Sequence, residues 1–139
     1  MTLHVLDTDT LVLFQEGQAN VCRHVLSHAM DELATTAITV EEELSGWYTL
    51  LRRAKGPKQL AHAYQRLVDT VQVLGRFHIL SFTEPAIDRF MRLTEMKLRV
   101  RHADLRIAAI TLEHGGTLIT RNVRDFQAIP GLAIVDWSL

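Results

Sequence analysis

Asp7, Glu42, Asp104 and Asp125 are the residues of this chain whose type and setting could do chemistry together. Carboxylates that share one cleft repel, and each raises the pKa of the next unless a cation lies between them. With no thiolate among them, an all-oxygen set suits a hard divalent ion, Mg²⁺ or Mn²⁺, held through a few carboxylates plus water. Such an ion leaves positions open for phosphate oxygens, where it can activate a water and offset the charge developing on a phosphodiester. Thr8, Thr120 and Asn122 stand close by in the sequence and would supply neutral hydrogen bonds to the water or the carboxylates. Each acid also has a simpler use. Asp7 and Asp9 suit turns at a strand end, and Glu42 could close a capping box with Thr39. Asp104 is favoured at a helix start, and Asp125 could cap a short turn.

The elements that would position these side chains are readable from apolar spacing. Strand-like runs fall at Leu3–Leu6, Ala34–Ile38, Phe77–Phe82, Thr117–Thr120 and Leu132–Val135. Between them, helical patterns run from Thr39 to about Ala54, from Lys58 to Leu74, from Pro85 to about Leu98 and from about Ala103 to His114. The second of these places Leu60, Ala63, Tyr64, Leu67, Val68 and Val71 on one face, and the third has Ile87, Phe90, Met91 and Met96 as apolar positions. Lys55-Gly56-Pro57-Lys58 breaks the pattern between the first two helices, Gly115-Gly116 stops the last, and Asn122 to Ile129 is a loop or short helix. Strands alternating with helices indicate an α/β domain of three layers, a central and mostly parallel twisted sheet flanked by helices. In an open sheet of that kind ligands bind beyond the carboxyl ends of the strands. Asp7 follows the first strand, Glu41, Glu42 and Glu43 follow the second, Asp104 opens the helix before the fourth, and Asp125 lies beyond the fourth.

Composition bounds the answer without choosing it. The chain has 139 residues, 47% hydrophobic and 22% charged, the mixture of one globular domain over 1–139 and not of a disordered, collagen-like or coiled-coil chain. Apolar runs such as Leu11 to Phe14 are far shorter than the roughly 18 residues of a membrane span. No secretory pattern is visible at the start and Cys22 is the lone cysteine, which together fit a cytoplasmic protein. The net charge of −1 hides two unlike parts, since Arg52 to Arg106 carries 12 Lys or Arg against 5 Asp or Glu. That basic middle, Arg99 and Arg101 included, could line the approach of a phosphate backbone or simply form solvated helix faces.

Other features point elsewhere only weakly. His24 and His28 stand one helical turn apart, but no H-E-x-x-H pattern accompanies them, and an exposed helix face accounts for the spacing. His102, two residues before Asp104, could touch a phosphate or begin a helix. Trp47, Trp137, Phe77, Phe82 and Phe90 belong mostly in the core. With Trp47 and Tyr48 adjacent on a helix, one of them could reach an interface. There is no glycine-rich phosphate loop and no G-x-S-x-G elbow.

Four segments resemble, in order, the motifs of PIN-domain ribonucleases, and in particular the VapC toxins of bacterial toxin–antitoxin pairs. They are Val5-Leu6-Asp7-Thr8-Asp9, Ile38 to Trp47 with its three glutamates, Asp104-Leu105-Arg106-Ile107-Ala108-Ala109, and Leu118 to Phe126 followed by Ile129-Pro130-Gly131-Leu132 and Asp136-Trp137. The resemblance implies a PIN-like fold and a Mg²⁺- or Mn²⁺-dependent endoribonuclease that hydrolyses tRNA or another structured RNA. It also implies a cognate antitoxin that blocks the cleft, and a homodimer. Carried over residue by residue, Asp7, Glu42, Asp104 and Asp125 are the catalytic, metal-binding acids, with Thr8, Thr120 and Asn122 in support. The spacing to Gly46 selects Glu42, although Glu41 and Glu43 leave the register open, and Asp9 stands where the family often has Asn. Two other readings fit the residues: a PIN nuclease of RNA processing outside any toxin pair, and a non-enzymatic α/β interaction module.

Overall fold

The computed structural model describes residues 2–139. Five short strands, β1 (His4–Leu6), β2 (Leu33–Thr36), β3 (His78–Leu80), β4 (Thr117–Ile119) and β5 (Ala133–Val135), form one sheet in the order β3-β2-β1-β4-β5. Every pairing in it is parallel. The helices are α1 (Thr8–Gln15), α2 (Ala19–Ser27), α3 (Ala37–Arg53), α4 (Gly56–Leu74), α5 (Glu84–Glu95), α6 (His102–Glu113) and the single turn α7 (Val123–Phe126). Among the described residues no helix is long and apolar enough to cross a membrane.

Side-chain alternation along the strands divides the interior into two cores. Val5, Ala34 and Leu118 face one side, where they meet Ala86 and Leu93 of α5 and Leu105, Ile107, Ala108 and Ala109 of α6. Leu6, Leu33 and Ile119 face the other, against Leu11 of α1, Val21 and Val25 of α2, Leu74 of α4, and Phe77 and Trp137. A strand buried on both faces reads as a continuous apolar run, as expected of a parallel sheet between helical layers.

Several boundaries differ from the sequence reading, for local reasons. The chain between Thr10 and Ala34 holds two helices that the apolar pattern leaves unassigned. In α1 the run Leu11-Val12-Leu13-Phe14 is apolar all round, so it shows no one-sided stripe. The second strand ends at Thr36, two residues short of Ile38, because the Thr36 hydroxyl accepts the Thr39 amide at 3.2 Å and caps α3. Thr39 is therefore inside the helix, and the proposed box with Glu42 does not form. Helix α5 stops near Glu95 because Lys97 takes a left-handed conformation, φ 54°. The strand over Phe77–Phe82 shrinks to His78–Leu80.

Gly116 marks the closest backbone approach: a Cβ there would lie 3.0 Å from the Leu3 carbonyl, to which Thr117 donates. The face of α4 that carries Leu60, Tyr64, Val68 and Val71 is turned to solvent, and Ala63, Thr70 and Leu74 are the buried positions. Periodicity identifies an apolar stripe without saying what covers it.

These two environments predict unequal responses to truncation. Leu118→Ala removes side-chain atoms from a fully buried site and costs about 2–5 kcal/mol in urea unfolding of the isolated chain. Val71→Ala, at a position 55% exposed, changes the same quantity by less than about 0.5 kcal/mol.

Candidate active site

Asp7 leaves β1 and caps α1. Its carboxylate accepts the Thr10 amide at 2.8 Å and a bond from Thr120, while its own amide donates to the Ile119 carbonyl at 3.1 Å. The side chain is nearly inaccessible, with 5% of the residue exposed. Burial pushes its carboxyl above the usual 3.8, the hydrogen bonds from Thr120 and Thr10 oppose that rise, and nearby Asp9 adds to it.

Glu42 lies in the second turn of α3, where it accepts the Thr8 hydroxyl at 2.7 Å. Thr8 Oγ1 is also 3.0 Å from Thr39 Oγ1, so α1 and α3 are joined by hydroxyls at the cleft. Of the three consecutive glutamates only Glu42 makes this connection. Glu41 is exposed. Glu43 is buried, its carboxyl pushed up by that burial, with nearby Gln15 and the Arg66 charge opposing the rise.

Asp104 sits in the first turn of α6 and is 8% exposed. Both its oxygens are engaged by Arg101, the residue immediately before the helix: Nε to Oδ2 at 3.3 Å and Nη2 to Oδ1 at 3.2 Å. The same Nη2 is 3.8 Å from Glu42 Oε2. Asp104 and Glu42, from two elements, thus share one guanidinium, whose charge also reaches Asp7.

Asp125 is joined less directly. It accepts Asn122 Nδ2 at 3.0 Å, the Asn122 amide donates to Thr120 Oγ1 at 2.9 Å, and Thr120 in turn bonds Asp7. Asp125 also lines a hollow of about 300 Å³ with Arg99, Val100, Arg124 and Ala128. Asp9 is apart from the cleft acids, paired on the surface with Arg121 at 2.8 and 3.2 Å.

The remaining candidates are placed elsewhere. His24 and His28 are not on an open helix face: they stack on Trp137, with centroids 5.1 and 4.9 Å away. His102 is exposed and packs edge-on to Phe90. Trp47 is half-buried beneath the Arg66 guanidinium, and Tyr48 reaches solvent. Two participants escaped the sequence reading. Thr39 was assigned to a cap, and Arg101 was counted only among the basic residues of the middle segment. The available signal for Arg101 was its position three residues before a helix-start acid.

The donor chemistry fits a hard divalent ion: carboxylate oxygens backed by hydroxyls, a buried acid whose ionisation is disfavoured, and a cation already standing between two of the acids. Among the described residues no three His, Cys, Asp or Glu side chains close around a common point as they stand.

The family model described as PIN domain matches residues 4–132. Solved structures of similar fold include DNA-bound VapBC from Salmonella typhimurium, at 22% identity, 99% coverage of both chains and a TM-score of 0.81. FitAcB from Neisseria gonorrhoeae is similar at 25% identity, covering 96% of this chain and 97% of that one, with a TM-score of 0.77. VapBC-5 of Mycobacterium tuberculosis, a member of the VapBC family of toxin–antitoxin systems, aligns at 26% identity over 98% of this chain and 99% of its own, with a TM-score of 0.59. No curated protein matches the chain.

The buried charge of Asp7 has a measurable sign. Its folded carboxyl binds a proton more tightly than the unfolded one, so the stability that it contributes is present below 3.8 and lost as pH rises through the raised value. Asparagine retains the cap without the charge. In a chelator, Asp7→Asn therefore melts above the natural protein at neutral pH, and the gap narrows as pH falls toward 3.8. A variant that melts lower at neutral pH would contradict this account.

Proposed function

The chain belongs to the PIN domain family, whose members are metal-dependent nucleases, and from that premise we propose that it is an endoribonuclease dependent on Mg²⁺ or Mn²⁺, the toxin of a toxin–antitoxin pair. The observation that carries the reading is the sharing of one guanidinium by Asp104 and Glu42, from two elements, with the buried Asp7 within reach of the same charge. The substrate is RNA, tRNA or another structured molecule, and the reading takes residues 1–139 as one nuclease domain.

The acids Asp7, Glu42, Asp104 and Asp125 would hold the ion, which when bound supplies an activated water and offsets charge on the phosphodiester. The chain's own contribution is orientation. Thr8 fixes one Glu42 oxygen and leaves the other 3.8 Å from the Arg101 guanidinium that also holds Asp104. Thr120 and the Thr10 amide hold the Asp7 carboxylate against the end of β1, where burial excludes bulk water. Asn122 fixes one Asp125 oxygen and ties it, through Thr120, to Asp7. In the reaction a water oxygen bonds to phosphorus as the bond to the leaving ribose oxygen breaks, and the leaving oxygen takes up a proton.

The toxin role is supported by similar structures that are described as toxin–antitoxin systems, VapBC-5 of Mycobacterium tuberculosis among them. An antitoxin partner and a second copy of the chain both need accessible apolar surface, and the half-exposed Leu60, Tyr64, Val68 and Val71 stripe on α4 provides some.

The deciding experiment is cleavage of a structured RNA with added Mn²⁺, and with a chelator as control. The natural protein cleaves and the chelator stops it. Asp7→Asn and Asp104→Asn lose more than the roughly 100-fold that removal of an outer hydrogen-bond partner can cost. Thr8→Val, which removes such a partner from Glu42, loses roughly 10–100-fold. Glu41→Gln, at an exposed position, cleaves as the natural protein does. Equal cleavage by the Asp7 and Asp104 variants would overturn the reading.

A further inference from the structure

Arg101 is the chain's own cation in a cleft built for a foreign one. Two of its nitrogens bond Asp104, at 3.3 and 3.2 Å, and one of these stands 3.8 Å from Glu42. A guanidinium stays protonated at any pH at which a protein is folded, so its charge cannot be titrated away. Without it, the buried Asp104 and the neighbouring Glu42 would stand uncompensated. The arginine is nevertheless not locked in place. It precedes α6 instead of lying within it, 67% of its side chain is exposed, and the acids are its only charged partners. The two nitrogens that serve the carboxylates here can be turned to water with little loss, as in other exposed ion pairs.

We propose that Arg101 is a resident counter-ion of the acidic cleft, which neutralises Asp104 and Glu42 in the metal-free protein and must be displaced before a divalent cation can bind. This rests on the metal-dependent reading given above. Metal affinity is then set partly by an arginine–carboxylate contact, and metal-free protein is kept from opening its acids to one another. The device is a competition for the same oxygens. Arg101 is a positioning residue in this account, acting through Asp104 and Glu42.

Calorimetric titration of Mn²⁺ into metal-free protein tests it, with Arg101→Ala, Arg101→Lys and Arg92→Ala beside the natural chain. Arg92 is an exposed basic residue of α5, remote from these contacts, and controls for a general change in charge. Arg101→Ala binds Mn²⁺ roughly fivefold more tightly, the factor that an exposed ion pair near the upper end of the usual range represents. Arg101→Lys falls between Arg101→Ala and the natural protein, and Arg92→Ala matches the latter. In thermal unfolding at low salt, metal-free Arg101→Ala melts below the natural protein and gains more from added Mn²⁺. Equal or weaker binding by Arg101→Ala, or an equal gain in melting temperature, overturns the proposal while leaving the nuclease reading intact. If neither protein binds Mn²⁺, the metal-dependent reading fails and the competition with it.

Discussion

The buried carboxylate of Asp7 at the end of the central strand is the constraint around which the cleft is arranged. A charge placed there is costly unless hydrogen bonds, dipoles or a cation compensate it. The fold brings the first two to Asp7 directly. Asp7 caps α1, so the positive end of that helix lies against it. Thr10 contributes its amide, and its hydroxyl bonds the Ile119 carbonyl, which ties the start of α1 to β4. Thr120 arrives from the end of β4 itself. Even so, burial prevails and the carboxyl remains raised, which leaves a standing demand for positive charge nearby.

Strand order explains which acids answer that demand together. With β1 in the centre, β2 and its following helix lie on one side, and β4 with its following turn on the other. Glu42 comes from the β2 side on α3, and Asp125 from the β4 side on α7. Asp104 enters from the helical layer on one face, where α6 packs on Val5 and Leu118. Asp104 and Glu42 can therefore share a single guanidinium, whereas Asp125 reaches Asp7 only through Asn122 and Thr120. The asymmetry follows from topology, because one neighbouring strand cannot stand on both sides of β1.

Much of this was legible in the residues, and the failures have identifiable causes. The α/β architecture and the parallel sheet follow from strands buried on both faces between helices, as Val5-Leu6 and Leu118-Ile119 illustrate. Helix α1 escapes the apolar pattern because its run Leu11–Phe14 shows no one-sided stripe and it begins at β-branched Thr8, so that only its Asp7 cap announces it. The start of α3 was misplaced because Thr36 and Thr39 are both competent caps, and the choice depends on where β2 must stop pairing with β3. The three glutamates could not be separated by type. They are separated by the helical rotation of about 100° per residue, which turns Glu42 toward Thr8 and Glu43 toward Gln15. The stripe on α4 was seen correctly as apolar, but spacing along one helix does not distinguish a core face from an uncovered one.

Net charge is the quantity that the structure demotes most. Several of the basic side chains between Arg52 and Arg106 are already committed to partners within the chain. Arg66 lies over Trp47 at 5.0 Å, Arg106 over Phe90 at 5.2 Å, Arg89 on Glu113, and Arg101 on Asp104 and Glu42. The cations that flank the cleft are few, with Arg99 and Arg124 lining the hollow at Asp125. Field strength at a charged ligand falls with distance and is screened within about 10 Å in ordinary salt. For a polyanion at this cleft, those near cations count for more than the distant Arg52, Arg53, Lys55 and Lys58 around the turn between α3 and α4. A total of −1 averages over both groups and so describes neither. What governs the chemistry is how many positive charges stand within reach of the same oxygens, and Arg101 is the first of them.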